Sequence, residues 1–402
     1  MWSQSLDTLA PSDIQCLIED EVEESASLEY KEQLPGGGDE DRREFLYDVS
    51  ALANAGGGYL LFGISDKRDS QNKPTGIADK IVGLVAPNVS AEIARLENMI
   101  RDGIAPRLTG VHNKVLDCGP AIVLVLAIPQ SWNAPHMVTF KHANKFYSRV
   151  SSGKYLMSVD QIGRAFSMQS ALRESIQSWR QRRVEVLRSG NGPIELQQGP
   201  TALIHVIPAS AFSLQSIRST WILSEDLRLK MHCPSTQFSG SGRYNGDGYL
   251  KWAEVAPSAP TTGYTQVFRN GIIEYVTAHF SWGVAPPKES PIFTQFLEQE
   301  LIKGYRDARK TFQELQLVEP VYVGVDLFGL KGKSMYISHR NIYALKPMRD
   351  DAFSSPEVLL EADESAELPA ALKVLADMMW QAGGLEGTPF MESGVWTPFI
   401  ER

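Results

Sequence analysis

The stretch from Glu24 to Asp66 constrains this chain more than any other. It reads Glu24-Ser25-x-x-Leu28-Glu29-Tyr30-Lys31, then a loop closed by Pro35 and Gly36-Gly37-Gly38, then a helical segment. Asn54-x-Gly56-Gly57-Gly58 follows and leads into the apolar run Tyr59 to Ile64 and Asp66. Leu28 to Lys31 has the length of a short strand. Asp39 to Asp41 suit a helix start, and Phe45, Leu46, Val49 and Leu52 recur at helical spacing. Asn54 and the glycines mark its end. On a strand alternate side chains share a face, so Glu29 and Lys31 point one way and Leu28 and Tyr30 the other. Three carboxylates and a lysine are thereby attached to a strand, a glycine turn and a second strand. Hard divalent cations such as Mg2+ or Mn2+ take oxygen ligands, and two or three carboxylates with water and substrate phosphate are a common set. The pattern points to chemistry on phosphodiesters.

The remaining pattern completes an α+β chain. A short acidic helix is expected over Ser12 to Glu21, and another from Ser90 to Asp102. Strands are expected at Thr109–Leu116, Ala121–Ile128 and Lys145–Val150. Ser158 with Gln161 makes a capping box that opens a long helix towards Leu187. Ser189-Gly190-Asn191-Gly192-Pro193 is the clearest linker, which divides the chain into residues 1–190, an α+β domain over 191–350 and an acidic, helical extension over 351–402. In the second half a strand is expected at Ala202–Ile207, a type I′ hairpin at Asn270-Gly271, a long amphipathic helix from Ile292 to Leu315, a strand at Val321–Leu327 and a helix at Ala370–Gln381. Asp351 to Glu367 reads as looser chain.

Composition narrows the classes. With 402 residues, 43% hydrophobic and 22% charged, the chain has the make-up of a folded soluble protein. No basic start precedes an apolar run, and no window reaches the roughly 18 apolar residues of a membrane span, so a cytoplasmic, non-membrane protein is expected. Cys16, Cys118 and Cys233 lie far apart with no CxxC pair, so neither a disulfide framework nor a zinc site is expected. The net charge of −9 disfavours indiscriminate binding to a polyanion. Lys141 to Arg188, however, carries ten basic residues and three acidic ones. This stretch is either a nucleic-acid-facing surface or a solvated helix face.

Glu24-x4-Glu29-x-Lys31, Ala53-Asn54-x-Gly-Gly and Leu61-Phe62-Gly63-x-x-Asp66 together resemble the Schlafen AlbA_2 domain. The resemblance continues through Lys145-Phe146-Tyr147-x-Arg149-Val150 and Met157-Ser158, and covers about residues 15–190. It implies a nucleic-acid-binding α+β domain with a mixed sheet and flanking helices. It further implies a metal-dependent endoribonuclease, a hydrolase of structured RNA such as tRNA, with RNA favoured over DNA and an antiphage or stress setting. By motif, Glu24, Glu29 and Asp66 are the expected catalytic and metal-binding residues, with Lys31 beside the scissile phosphate. Arg149, Lys145 and Lys154 are expected to contact nucleic acid, and Asn54, Gly56, Gly57 and Gly58 to shape the turn. Two departures stand out. The glycine after the arginine has moved to Gly153 (Ser151-Ser152-Gly153-Lys154), and only one lobe is recognisable, so a second would come from a homodimer or from the C-terminal domain.

The alternative is a non-catalytic DNA- or RNA-binding regulatory module. The family's ATP-binding label finds little support, because a Walker A loop needs Lys followed by Ser or Thr and Lys154 is followed by Tyr155. None of the seven histidines forms a close helical pair, and His136 and His142 read as surface or structural. Tyr244, Tyr249, Trp252, Tyr264, Phe268, Tyr275, Phe280 and Trp282, with Arg243, Lys251 and Arg269, read mainly as sheet core and otherwise as a base-stacking surface.

Overall fold

The computed structural model describes residues 6–85, 88–151, 153–213, 223–235, 240–256, 259–278, 292–315, 317, 319–336, 346–360 and 368–398. His279, Phe280, Trp282, His339 and residues 361–367 therefore lie outside the described residues, as does Ser152. The chain divides into two units, Met1–Ala171 and Leu172–Arg402.

The first unit contains α1 (Pro11–Glu19), β1 (Leu28–Lys31), α2 (Asp39–Ala55), β2 (Gly58–Phe62), β3 (Ile64–Arg68), β4 (Pro74–Ile81), α3 (Val89–Gly103), β5 (Ile104–Ala105), β6 (His112–Asp117), β7 (Ile122–Ile128), β8 (Met137–Val138), β9 (Lys145–Val150), β10 (Gly153–Leu156) and the start of α4 (Val159–Arg188). One sheet has the order β1-β2-β7-β6, with β1 parallel to β2 and the other pairs antiparallel. The mixed sheet implied by the resemblance is thus present. A second sheet runs β10-β9-β8-β5, and β3 pairs with β4. Gly63 (φ 99°) breaks the apolar run expected as one strand into β2 and β3.

Strand alternation sorts the core of this unit. Leu28, Tyr30, Leu61, Val123 and Val125 join Ile14 and Leu17 of α1. Leu60, Phe62, Leu124, Leu126 and Ile128 join Phe45, Leu46, Val49 and Leu52 of α2. Since Leu28 and Tyr30 face α1, Glu29 and Lys31 between them face the α2 side.

The second unit contains the end of α4, then β11 (Thr201–Pro208), α5 (Glu225–Lys230), β12 (Ser241–Tyr244), β13 (Gly248–Trp252), β14 (Gly263–Phe268), β15 (Ile273–Ala278), β16 (Ile292–Phe293), α6 (Thr294–Glu314), β17 (Val321–Phe328), β18 (Met335–Tyr336), β19 (Ala352–Ser354), β20 (Val358–Leu360) and α7 (Ala370–Ala382). Its large sheet runs β12-β13-β14-β15-β11-β17-β19, and β20 also pairs with β17. Residues from α6 and α7 share one core with Ile204, Tyr275 and Val325. The stretch from Asp351, read as looser chain, therefore supplies two strands in its described part, and α7 belongs to this core.

The opposite sheet face is polar at its centre, where α4 covers it. Glu274 is fully buried and accepts two hydrogen bonds from Arg183, at 2.9 and 2.8 Å, and one from Tyr264 Oη at 2.7 Å. His205 Nε2 lies 2.9 Å from the same carboxylate. Arg180 pairs with Asp326 at 3.0 Å and with Glu357 at 2.7 Å. Gly324 leaves room for Arg180, whose guanidinium carbon would lie 2.4 Å from a Cβ there. These pairs explain why the division falls inside α4 rather than at Ser189–Pro193. The helix end is tied to the second unit's sheet.

The hairpin expected at Asn270-Gly271 is present between β14 and β15, but with a different turn. Only Gly271 (φ 86°) takes a positive φ, and Gly271 N donates to Phe268 O at 2.9 Å. It is a three-residue loop closed by a left-handed glycine rather than a type I′ turn. Tyr249, Tyr264 and Tyr275 are buried, and Lys251 Nζ donates to the carbonyls of Arg228, Leu229 and Met231. The core reading holds for these three tyrosines, whereas Tyr244 is exposed and Trp252 and Phe268 are half-buried. Among the described residues, no helix is long and apolar enough to cross a membrane.

Burial alone would raise the Glu274 carboxyl. The hydrogen bonds from Arg183 and His205 outweigh that and hold it at about 2. Glu274→Gln should therefore lower stability by about 3–5 kcal/mol at neutral pH, because Arg183 loses its buried partner. A carboxyl held below its ordinary value stabilises fully above the unfolded value of about 4.5, and that contribution is lost as pH falls through about 2. Thermal melting of both proteins against pH should show the full difference above about pH 4.5 and a progressive narrowing from there down to about 2.

Candidate functional site

The tight turn before β1 brings the two motif glutamates into one place. Ser25 and Leu28 bridge each other, and Glu24 N donates to Gly76 O at 2.7 Å, fixing the turn against β4. The Glu24 carboxylate folds back to accept the Tyr30 N–H at 2.8 Å. Asp66, expected just after a strand, lies within β3 and accepts the Gly76 N–H at 3.4 Å. A Cβ on Gly76 would lie 3.5 Å from Glu24 Oε2. Glu24 and Asp66 thus reach the same glycine from two sides. Burial pushes the Glu24 carboxyl above its ordinary value of 4.5; the Tyr30 N–H, Arg149 and Lys31 oppose the shift and Asp66 adds to it.

Both oxygens of Glu29 are engaged by cations. One of its oxygens is ion-paired with Arg149 Nη1, and the other accepts from Lys31 Nζ at 2.6 Å. Glu29 is buried at 8% exposure. Among the described residues no group of three His, Cys, Asp or Glu side chains is gathered to hold a metal, so the expected trio does not form one cage. Glu24 and Asp66 are the two motif carboxylates left beside Gly76. That pair still fits Mg2+ or Mn2+, because Mg2+ keeps several waters and is held by one or two carboxylates plus phosphate.

Arg149, expected at a phosphate, is built into the interior instead. Its side chain is fully buried. It donates to Ser25 O at 2.8 Å and Leu28 O at 3.2 Å besides pairing with Glu29. Burial lowers its pKa, and the charge of Glu24 works against that. One guanidinium thereby clamps both ends of the Ser25–Leu28 turn, which its five fixed N–H donors suit. Lys145 is exposed at the start of β9. Lys154 on β10 bonds Glu44 and Asp48 at 2.6 Å each.

The alternation of β1 has a consequence that motif reading missed. Lys31 faces α2 and lies 3.1 Å from Asp48 Oδ2. Asp48 is 1% exposed, so Lys31 and Lys154 approach one buried carboxylate from two strands. The sequence held a signal for this. Asp48 stands three residues after Phe45 and four before Leu52, on the helix's apolar stripe, where a charge needs a partner.

The turn residues lie at the end of α2 and the start of β2. Asn54 donates to His136 O at 3.0 Å and Tyr147 O at 2.7 Å and accepts from His136 N at 2.8 Å, tying α2 to β9. Gly56 caps α2 in the left-handed region (φ 119°), and Gly57 also has a positive φ of 85°. Gly58 admits no side chain, since a Cβ would meet Ser27 O at 2.4 Å. His136 is wholly buried and structural, bonded to Pro106 O at 2.7 Å. The basic stretch is largely neutralised within the fold. Lys141, Arg149 and Lys154 pair with Asp39, Glu29 and Asp48, and Arg180, Arg183 and Arg188 with Asp326, Glu274 and Asp351. Lys145, Arg164, Arg173 and Arg182 remain exposed.

Residues 24–158 match the family described as Schlafen, AlbA_2, which puts this region in a nucleic-acid-related class. No curated protein matches the chain. Among solved structures, the N-terminal domain of a RecG-related protein from Nitrosomonas europaea is 21% identical, the match covering 36% of this chain and 89% of that one with a TM-score of 0.28. The DIP2311 protein from Corynebacterium diphtheriae is 18% identical, the match covering 36% of this chain and 26% of that one with a TM-score of 0.25.

Arg149→Met leaves Glu29 with one cation and strands two carbonyls, so it should cost about 3–5 kcal/mol of stability. Lys145→Met, at an exposed site, should change stability by no more than about 0.5 kcal/mol. Equal melting temperatures for the two variants would contradict the interior role of Arg149.

Proposed function

We propose that this chain, whose residues 24–158 form a Schlafen AlbA_2 domain, binds structured RNA at the edge formed by β1, α2 and β10 and cleaves it as a divalent-metal-dependent endoribonuclease. The observation that carries the reading is the balance of charge at that edge. Glu24, Glu29, Glu44, Asp48 and Asp66 stand against Lys31, Lys154 and Arg149. A cation that offsets an excess of carboxylates strengthens the approach of a polyanion, and Glu24 with Asp66 would hold that cation. Bound Mg2+ or Mn2+ would neutralise phosphate charge and acidify a bound water. The protein's own part is positional. Arg149 fixes the turn that carries Glu24, Glu29 holds Lys31, and Lys31 offers its ammonium to the phosphate. A cytoplasmic stress or antiphage setting belongs to the same proposal.

The second reading is a non-catalytic DNA- or RNA-binding module, and the engagement of both Glu29 oxygens favours it. Purified full-length chain incubated with tRNA and Mg2+ or Mn2+ separates the two. Fragments that vanish with EDTA, with Glu24→Gln and with Asp66→Asn are expected. Cleavage should also fall on the acid side at a pH above 4.5, since burial raises Glu24 and a ligand carboxylate must be ionised. A salt-sensitive mobility shift without fragments would replace the nuclease by the binding module. Fragments undiminished in both variants would remove Glu24 and Asp66 from the site.

A further inference from the structure

We propose that Asp48 is a positioning residue that makes Lys31 and Lys154 into a two-ammonium clamp for one backbone phosphate, an inference that rests on the nucleic-acid reading above. Lys31 comes from β1 and Lys154 from β10, strands of different sheets, and only the α2 carboxylate joins them. Lys154 Nζ lies 2.6 Å from Asp48 Oδ1 and Lys31 Nζ 3.1 Å from Asp48 Oδ2. One carboxylate with an ammonium at each oxygen sets their separation, as a template would. Asp48 is nearly sealed from solvent, whereas the side chains of Lys31 and Lys154 are 36% and 23% exposed. The charge that organises the pair is therefore inaccessible to a polyanion, while the pair itself is reachable.

Donor counting gives the ligand class. An ammonium carries three N–H donors and no acceptor. Lys154 uses two, on Glu44 and Asp48. Lys31 uses one on Glu29 and lies within ion-pair distance of Asp48 Oδ2 without a hydrogen bond to it. Each retains an N–H, and two such donors at a fixed spacing suit two oxygens of one tetrahedral anion. Glu29 and Glu44 flank the clamp and keep a free polyanion from binding by charge alone, so geometry must contribute. Asp48 never touches the ligand on this account. It acts through the two lysines.

Two measurements on the full chain test this. The first is the salt dependence of binding to tRNA in EDTA, for wild type, Lys154→Ala, Asp48→Asn and the double variant. Asp48→Asn should weaken binding and lower the salt slope by about 1, as Lys154→Ala does, and the two effects should not add. Asp48→Asn removes a negative charge, so tighter binding with an unchanged or steeper slope overturns the clamp. So does full additivity in the double variant, since Asp48 would then be acting elsewhere. The second follows the lysine Nζ resonances by NMR with inorganic phosphate as probe. Phosphate should shift Lys31 and Lys154 together in wild type and neither together in Asp48→Asn; no joint shift in wild type overturns the clamp. The second measurement needs no RNA, so a wild type that ignores tRNA but shows the phosphate shift removes the nucleic-acid reading and leaves the clamp. If Asp48→Asn fails to fold, Asp48→Glu serves, its longer arm changing the spacing while keeping the charge. Wild-type slope and joint shift in that variant would also overturn the proposal.

Discussion

The ion pair between Arg149 and Glu29 is the interaction on which the first unit's site depends. It lies in the interior, where separating two charges would cost several kcal/mol per ion, so both partners are effectively fixed. Arg149 also takes the carbonyls of Ser25 and Leu28, and so determines where the turn before β1 closes. Glu24 and Glu29 are five apart in sequence, yet this clamp directs one towards Gly76 and the other towards α2. A motif of two glutamates thus becomes two groups with different work.

From that pair the charges alternate outward. Arg149 meets Glu29, Glu29 meets Lys31, Lys31 meets Asp48, Asp48 meets Lys154, and Lys154 meets Glu44. The series starts at a sealed guanidinium and ends at an exposed Glu44, with Asp48 sealed again between the two lysines. Its inner members are held by the cost of leaving them unpaired. Its outermost pair, Lys154 with the exposed Glu44, is worth little as a surface pair. The second unit uses the same principle at Glu274, His205 and Arg183, but there the network is closed off and serves packing of α4 on the sheet.

The elements were readable wherever local pattern and local physics agree. α2 followed from its apolar spacing and glycine stop, β7 from its apolar run, and α4 from the Ser158–Gln161 capping box, in which each side chain bonds the other's backbone N–H. Reading failed where partners decide. β3 and β4 form a hairpin after Gly63 that the continuous apolar run concealed. Short β19 and β20 exist because β17 offers them an edge, in a stretch whose acidic composition looked loose. The turn at Asn270 was predicted from a dipeptide preference, but the flanking strands select a three-residue loop. The basic stretch looked like a surface because sequence counts charges without their partners.

The sequence by itself determined that Glu29 and Lys31 share a strand face, that Asn54 and Gly58 form a tight turn, and that a Schlafen AlbA_2 pattern spans the first unit. Those are consequences of two-residue periodicity and of backbone positions that exclude a side chain, and both are local. Only the tertiary structure decided that Arg149 is interior, that Glu29 is occupied by cations, that Glu24 and Asp66 both lie beside Gly76, and that Asp48 joins two lysines from different sheets. Each of these depends on a contact between residues far apart in the chain, and the strength of a charge pair is set by burial, which no local pattern encodes.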